Sequence, residues 1–346
     1  MAPTDLHIVI LAAGKGTRMY SKLPKVLHEI GGKSMLDHVI DTARSLKPDS
    51  ISVVIGHGKD SILARTAQSV NWVEQTEQLG TGHALKMALP HLPANGRTLV
   101  LYGDVPLIDP ATLHTLLDAA GHDIGLLTDL LDNPSGYGRI LRQADGSICG
   151  IVEEKDANAE QKAIREINTG ILVLPNAHLA AWLNALSNGN AQGEYYLTDV
   201  IALAVAQGVP VHGVTVRASH LAAGVNNKHQ LAELERIFQN SQAQALLQAG
   251  LTLRDPARFD LRGCLKHGQD VVIDVGVLIT GSCELGDDVQ IGAHCVLHNV
   301  RIGAGSVIAP FSHLEDCHVG RDGRIGPFAR LRPQAQLGDG VHIGNF

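Results

Sequence analysis

The segment HIVILAAGKGTRM, residues 7–19, decides the fold expected for the N-terminal part of the chain. Its apolar start, His7–Leu11, predicts a buried strand, and the glycines that follow predict a tight loop. Downstream, apolar runs alternate with amphipathic stretches at Met35–Leu46, Ile51–Ile55, Thr81–Leu89 and Thr98–Tyr102. Strands that alternate with helices predict a mostly parallel α/β sheet covered on both faces. Ligands of such sheets bind at the carboxyl ends of the strands, so residues in those places are candidates for function.

A second pattern, typical of one helix, covers residues 229–250. Leu231, Leu234, Ile237 and Phe238 recur at helical spacing, and Gly250 follows the pattern. We interpret this stretch as a linker helix whose Gln- and Glu-rich face is exposed to solvent. It separates a first domain, residues 1–228, from a third region, residues 251–346.

The third region has a period of six residues. Thirteen aliphatic positions obey it, with two slips of one residue: Ile273, Ile279, Leu285, Ile291, Leu297, Ile302, Ile308, Leu314, Val319, Ile325, Leu331, Leu337 and Ile343. Hexapeptide repeats of this kind predict a parallel β-helix, in which each six-residue edge points one aliphatic side chain inward. The β-helix explains why the chain has 37 glycines but only 3% aromatic residues. Because the pattern continues almost to Phe346, we expect the sequence to be a truncated piece of a longer protein.

Composition excludes several classes of function. With 28 Lys+Arg against 35 Asp+Glu and no basic block, the chain is not expected to bind nucleic acid or an anionic membrane. It lacks a signal peptide and a long apolar run, which favours a cytoplasmic location. Five cysteines without a C-x-x-C pair are expected to be buried free thiols. Isolated histidines such as His57, His83 and His294 are expected to be packed or solvated rather than metal-bound.

The loop after the first predicted strand has the chemistry of a phosphate site. Leu11, Ala12, Ala13 and Gly14 lead into Lys15-Gly16-Thr17-Arg18. Glycines let backbone N–H groups approach phosphate oxygens, and Arg18 supplies positive charge. The spacing is neither that of a Walker A loop nor that of a dinucleotide-binding loop.

Lys25 follows at the end of the longer pattern L-A-A-G-K-G-T-R-M-x-x-x-x-P-K. This pattern resembles the signature loop of sugar-nucleotide pyrophosphorylases, in which the second lysine contacts phosphate. The resemblance therefore implies that Lys25 neutralises charge during the reaction. The alternative is a solvated surface lysine.

Asp104 ends the predicted strand TLVLYGD, residues 98–104. A carboxylate at the carboxyl end of a strand is well placed to bind Mg²⁺, which prefers one or two carboxylates together with phosphate oxygens and water. The alternative is that Asp104 caps the turn at Val105-Pro106. Its order after the glycine loop favours the metal.

Over its whole length the chain resembles the bacterial bifunctional N-acetylglucosamine-1-phosphate uridyltransferases and glucosamine-1-phosphate acetyltransferases. The resemblance rests on matches in order: E-Q-L-G-T-G-H at 77–83, Y-G-D at 102–104, G-Y-G-R at 136–139, G-I-V-E at 150–153, E-I-N-T-G at 166–170, G-E-Y-Y-L-T-D at 193–199 and G-V-N-N at 224–227. It implies a Rossmann-like nucleotidyltransferase domain and a left-handed β-helix that trimerises.

The resemblance also assigns site residues. It places the nucleotide and phosphates against Leu11–Gly14, Lys25, Gln75, Gly80, Thr81, Tyr102, Gly103 and Asp104. It places the sugar and product against Gly138, Glu153, Asn168 and Asn226, with Glu194–Asp199 bordering the sugar. Mg²⁺ would bind Asp104 and Asn226. In the β-helix, Arg332 would contact a sugar phosphate.

These implications predict a Mg²⁺-dependent enzyme that converts UTP and N-acetylglucosamine 1-phosphate into UDP-N-acetylglucosamine and pyrophosphate. The full-length parent would also acetylate glucosamine 1-phosphate with acetyl-CoA, but the family's catalytic histidine would lie beyond Phe346, so no acetyl transfer is expected here. Two alternatives stay open: a trimeric hexapeptide-repeat acetyltransferase, and a nucleotide-binding assembly module without catalysis.

Overall fold

The computed structural model describes residues 5–66 and 68–345, and these residues form two compact units. The first contains the described chain up to His28 together with Ser34–Gln230. The second contains Glu29–Lys33 and the chain from Leu231 onward. Assignment of Glu29–Lys33 to the second unit was not predicted from the sequence pattern.

The first unit is built on a nine-stranded sheet. Its main path runs β11-β7-β10-β6-β1-β4-β5, and the β8–β9 pair extends from β10. The strands are β1 Leu6–Leu11, β4 Ser50–Ile55, β5 Asn71–Glu74, β6 Arg97–Tyr102, β7 Ile124–Leu130, β8 Arg139–Arg142, β9 Ile148–Val152, β10 Glu166–Pro175 and β11 Val211–Thr215; β2 Glu29–Ile30 and β3 Lys33–Ser34 form a separate small pair.

Strand β1 lies in the interior of this sheet, parallel to both β4 and β6. Leu6, Ile8 and Ile10 pack into the core on one face, whereas Val9 and Leu11 pack into the core on the other. Burial on both faces explains why the strand is apolar without alternation. The predicted mostly parallel α/β fold is confirmed, with β10 running antiparallel to β6 and β7.

Helices cover both faces of the sheet, and the last helix, α8, follows the sheet in the chain. The helices are α1 Met35–Ser45, α2 Lys59–Arg65, α3 Thr81–Ala88, α4 Pro110–Ala120, α5 Ala159–Lys162, α6 Asn176–Ala185, α7 Asp199–Ala206 and α8 Lys228–Gln248. Helix α1 shows why these segments are helical. The Ser34 hydroxyl accepts a hydrogen bond from the Asp37 N–H at 3.0 Å and caps the helix. Met35, Val39 and Ile40 then bury one helical face.

Helix α8 exposes several of its Gln and Glu side chains, but one glutamine is an exception. Gln239 is fully buried. Its Oε1 accepts from the Leu261 N–H at 2.7 Å, and its Nε2 donates to the Leu261 carbonyl at 3.0 Å. Leu261 lies in β13 Asp260–His267, a strand that pairs only with β15 among the described strands. Gln239 therefore provides hydrogen-bond partners for the backbone N–H and carbonyl of Leu261 on the unpaired edge of β13. Without Gln239 these two groups would be buried without partners.

The second unit is a parallel β-helix, as the hexapeptide pattern predicts. Its coils are built from β12 Thr252–Leu253, β13, β14 Val272–Ile273, β15 Leu278–Leu285, β16 Gln290–Ile291, β17 Val296–His298, β18 Arg301–Ile302, β19 Val307–Ile308, β20 His313–Glu315, β21 His318–Val319, β22 Arg324–Ile325, β23 Arg330–Leu331, β24 Gln336–Leu337 and β25 His342–Ile343. Eleven of the thirteen predicted inward positions are buried, and Leu337 and Ile343 are partly buried.

The two slips in the period have a structural counterpart. Ile273 pairs with Ile291 and Ile291 with Ile308, so one coil has 18 residues (291 − 273) and the next has 17 (308 − 291). The shortened corners carry Asn299 and Asp316 with φ of 50° and 43°. Asn and Asp adopt this left-handed backbone more readily than other side chains, so a corner can lose a residue there.

The cysteine prediction is wrong for two of the five thiols. Cys283, Cys295 and Cys317 are buried, but Cys264 is exposed and Cys149 is half-buried; all five are free. Within the residues described, no helix is long and apolar enough to cross a membrane.

Candidate active site at the carboxyl ends of the central strands

A cavity of about 570 Å³ opens where β1, β5 and β6 end. Its lining includes most of the predicted nucleotide residues: Leu11, Ala12, Ala13, Gly14, Arg18, Lys25, Gln75, Gly80, Thr81, Tyr102 and Asp104. The cavity thus lies where a parallel sheet is expected to bind its ligand.

The loop after β1 forms one wall of the cavity. Gly16 has φ of +60°, and a Cβ placed on it would lie 2.6 Å from the Lys25 Cβ. Only glycine permits both this backbone and this close approach. Gly16 therefore lets Lys25 pack against the loop, while Gly14 lies exposed at the cavity with no atom within 4 Å of its Cβ position.

Lys25 connects two residues distant in sequence. Its ammonium forms an ion pair with the Asp104 carboxylate, and the two side chains are only 13% and 15% exposed. The same Nζ donates to the Asn226 Oδ1 at 3.3 Å. The Val225 N–H donates to the Asp104 carbonyl at 2.9 Å, which holds the segment bearing Asn226 beside the end of β6. One carboxylate and one amide oxygen thus converge on a single cationic group.

This donor set fits a divalent metal. Both ligand atoms are oxygens, which hard cations prefer, and they already face a common positive charge. The described residues contain no cluster of three His, Cys, Asp or Glu side chains suited to a metal. A metal here would accordingly complete its coordination with phosphate oxygens and water.

Gln75 follows β5, lines the cavity and is 3% exposed. Its Nε2 donates to the Gly80 carbonyl at 3.2 Å and lies 3.0 Å from the His83 Nδ1. Gly80 caps helix α3, so Thr81 begins the first turn, where N–H groups have no partner within the helix. Gln75, Gly80 and Thr81 therefore combine donors and an acceptor suitable for the edge of a base.

Tyr102 lies between the nucleotide residues and those predicted for the sugar. A Cβ on Gly170, which has φ of +87°, would lie 2.6 Å from the Tyr102 ring, so the glycine makes room for the phenol. Burial, together with the negative charges of Glu153 and Asp104, raises the pKa of Tyr102 far above its ordinary value. The phenol consequently stays neutral and acts as a wall and hydrogen-bonding group.

The predicted sugar residues form a connected group. The Asn168 N–H donates to the Gly138 carbonyl at 2.8 Å, and a Cβ on Gly138 would lie 3.3 Å from a Glu153 carboxylate oxygen. The Thr198 hydroxyl donates to Glu153 Oε1 at 3.0 Å. Burial raises the pKa of Glu153, and the charges of Asp199, Asp156 and Glu194 raise it further, whereas the Thr198 hydrogen bond lowers it. Glu153 is thus a carboxylate whose ionised form is disfavoured by its surroundings, and a hydroxyl donor would stabilise that form.

Six predicted site residues are not part of the cavity lining: Gly103, Gly138, Glu153, Asn168, Asn226 and Arg332. Gly103 is buried below the loop and donates its N–H to the Leu11 carbonyl at 3.0 Å. Arg332 belongs to the β-helical unit and is exposed.

The lining also contains residues that were not among those assigned to substrates by the resemblance: Lys15, Gly16, Thr17, Val26, Gln78, Ala84 and Gln192. Lys15, Gly16 and Thr17 belong to the glycine loop, so their position in the sequence was a sufficient signal. Gln192 had no such signal, although it lies next to the motif at 193–199; Glu194 from that motif also lines the cavity.

Comparison with known proteins identifies the family. The chain is 70% identical over all 346 residues to the bifunctional protein GlmU of Neisseria meningitidis serogroup B, covering 76% of that protein. The chain belongs to the GlmU family. The GlmU of Chromobacterium violaceum is 65% identical over 343 residues, which are 99% of this chain and 75% of that protein.

Two further comparisons concern the first unit. Residues 8–142 match the MobA-like NTP transferase domain. A putative glucose-1-phosphate thymidylyltransferase from Bacillus anthracis, solved in complex with a sucrose, has a TM-score of 0.53 at 19% identity over 67% of this chain and 94% of that one. This likeness shows the fold of the first unit. The chain is thus a nucleotidyltransferase of a family that generally uses a divalent metal.

Proposed function

We propose that the chain joins N-acetylglucosamine 1-phosphate to UTP, forming UDP-N-acetylglucosamine and pyrophosphate. The observation that carries this proposal is the convergence of Lys25, Asp104 and Asn226 beside the glycine loop, in a chain of the GlmU family. A cationic group, a metal-type oxygen pair and a phosphate-type loop in one cavity suit the transfer of a nucleotidyl group.

The reaction is an in-line attack by a phosphate oxygen of the sugar phosphate on the α-phosphorus of UTP, which breaks the bond to pyrophosphate. The attacking oxygen is already anionic, so no side chain must remove a proton. Lys25, Arg18 and the amides of the glycine loop lower the repulsion between the two anions and align them. Held by Asp104 and Asn226, Mg²⁺ would supply further charge neutralisation on the phosphates.

The remaining residues bind the two ends of the product. Gln75, Gly80 and Thr81 hold the uracil edge, and Gly138, Glu153 and Asn168 hold the sugar. The raised pKa of Glu153 supports this role, because a buried carboxylate that repels its neighbours gains most from the hydroxyl donors of a sugar.

The direct test is a pyrophosphate-release panel. UTP, dTTP, ATP and GTP are each paired with N-acetylglucosamine, glucosamine and glucose 1-phosphates at saturating Mg²⁺, with no-sugar reactions as controls. The highest kcat/KM is expected for UTP with N-acetylglucosamine 1-phosphate. Absence of sugar-dependent pyrophosphate with every pair would refute nucleotidyl transfer, whereas a preference for another pair would refute only the named substrates.

The division of labour along the chain extends this proposal. Residues 1–228 carry the transfer reaction, and residues 229–250 connect this domain to the β-helix. Residues 251–346 form a homotrimer through the β-helix. Sedimentation velocity tests the trimer by measuring the mass of the protein in solution. The expectation that these residues do not acetylate glucosamine 1-phosphate stays a prediction. Acetyl-CoA-dependent thiol release would contradict it.

A further inference from the structure

His83 lies directly behind Gln75, on the side away from the nucleotide cavity. It sits in the first turn of α3, is half-buried, and its Nδ1 lies 3.0 Å from the Gln75 Nε2. We propose that His83 is a positioning residue that fixes the direction of the Gln75 amide and thereby sets the preference for uracil. The proposal rests on the proposed function, since it concerns the base of the same nucleotide.

The surroundings of the amide fix which end points where. A backbone carbonyl can only accept, so the Gln75 atom 3.2 Å from the Gly80 carbonyl must be the NH₂ group. The second hydrogen of that NH₂ group points to the His83 Nδ1, which accepts it. Both amide hydrogens are then used within the protein, and Oε1 is the group that Gln75 can offer to a ligand in the cavity that it lines.

An acceptor at this position discriminates between pyrimidines. Uracil presents a donor, N3–H, between two carbonyl oxygens, whereas cytosine presents an acceptor at N3 beside a donor amino group. An amide oxygen accepts from uracil N3–H but repels the lone pair on cytosine N3. If the amide turned over, its NH₂ group would instead favour cytosine. The direction of one side chain therefore decides between the two bases.

His83 is needed because Gly80 alone holds only one of the two hydrogens. An imidazole with an unprotonated Nδ1 accepts the other, which locks the amide. A side chain that only donates would favour the reversed amide, with Oε1 directed toward position 83. The selectivity of the enzyme should accordingly follow the hydrogen-bonding character of residue 83, not its size.

Three substitutions separate these properties. His83→Gln keeps an acceptor, His83→Leu removes it, and His83→Lys supplies only donors. Lys86→Gln is the matched control, because Lys86 lies on the same helix and lines the same 330 Å³ outer cavity as His83 but is not bonded to Gln75 in any described contact. For each protein, kcat and KM are measured for UTP and CTP by pyrophosphate release, binding of both nucleotides by calorimetry, and folding by thermal unfolding.

We expect His83→Lys to raise the KM for UTP about tenfold, which corresponds to the loss of one hydrogen bond. The kcat should change little, and CTP should bind at least as tightly as it binds to the parent protein. The KM for UTP of His83→Leu should lie between those of the parent protein and His83→Lys. The KM values of His83→Gln and Lys86→Gln should stay within about twofold of the parent value. An unchanged UTP/CTP ratio in folded His83→Lys and His83→Leu would overturn the proposal. So would an equal loss of kcat for both nucleotides, which marks a structural role. If the parent protein itself released no pyrophosphate, the proposed function would fail first, and the calorimetric UTP/CTP ratios would still judge His83.

Discussion

Substitution of Gly14 by alanine separates the folding of the glycine loop from its contact with the nucleotide. No heavy atom lies within 4 Å of the position of a Cβ on Gly14, and its backbone is not in the left-handed region. The methyl group therefore meets nothing in the free protein. Replacing a glycine at a compatible position reduces the entropy of the unfolded chain, so stability should rise by about 0.4–1 kcal/mol.

The bound state should respond in the opposite direction. Phosphate oxygens lie about 2.7–3.2 Å from the N–H groups that bind them, whereas a carbon atom needs about 3.3 Å or more from such an oxygen. A methyl group at Gly14 would therefore push the phosphates away by roughly half an ångström. A displacement of about 1 Å can reduce turnover about a hundredfold, so a smaller one should cost somewhat less. We expect kcat/KM for UTP to fall between tenfold and a hundredfold.

The assay combines urea unfolding with pyrophosphate-release kinetics. Gly16→Ala is the matched control, because its φ of +60° and the 2.6 Å approach to Lys25 predict a loss of both stability and activity. Gly14→Ala should lose activity alone. Full activity of folded Gly14→Ala would show that the phosphates do not contact the loop at Gly14.

Three other substitutions test the remaining site and core. Asp104→Ala should lower kcat at least about a hundredfold without unfolding the protein, since the carboxylate that we propose binds the metal is lost; unchanged Mg²⁺ dependence would count against the assignment. Glu153→Gln should raise the melting temperature near pH 7, because the raised pKa of Glu153 means that its ionised form destabilises the fold. This increase in melting temperature should become smaller at lower pH, where the Glu153 carboxyl group of the parent protein is itself protonated. The KM of Glu153→Gln for the sugar phosphate should rise about tenfold, and a pH-independent gain would contradict this reasoning. Gln239→Leu should cost about 2–6 kcal/mol of unfolding free energy, measured in urea, because it leaves the Leu261 N–H and carbonyl buried without partners. Gln239→Glu should cost at least as much, because it places a second carboxylate beside Glu235, to which the Gln239 Nε2 also donates at 3.0 Å.

Much of the fold follows from periodicity alone. Strand β1 and the loop after it occur where the apolar run and the glycines predict them. In the β-helix the six-residue period predicts both the inward side chains and the two short corners. These features depend on neighbours in sequence or on identical neighbouring coils, so a single sequence contains the necessary information.

Contacts between distant segments were harder to predict. Asp104 and Asn226 lie 79 and 201 residues from Lys25, and their convergence came from the family resemblance rather than from spacing. The burial of Gln239 had no signal in the sequence, because it depends on the backbone N–H and carbonyl of Leu261 in β13. His83 was dismissed as an isolated histidine, since its relation to Gln75 depends on the turn at the start of α3.

The central claim is that one cavity brings two phosphorylated substrates together at Lys25 and Asp104. A crystal structure of the complex with UDP-N-acetylglucosamine and Mg²⁺ tests it most directly. We expect uracil against Gln75, the diphosphate beside the glycine loop with the metal between Asp104 and Asn226, and the sugar near Glu153. Product bound at another place, with this cavity empty, would contradict the account.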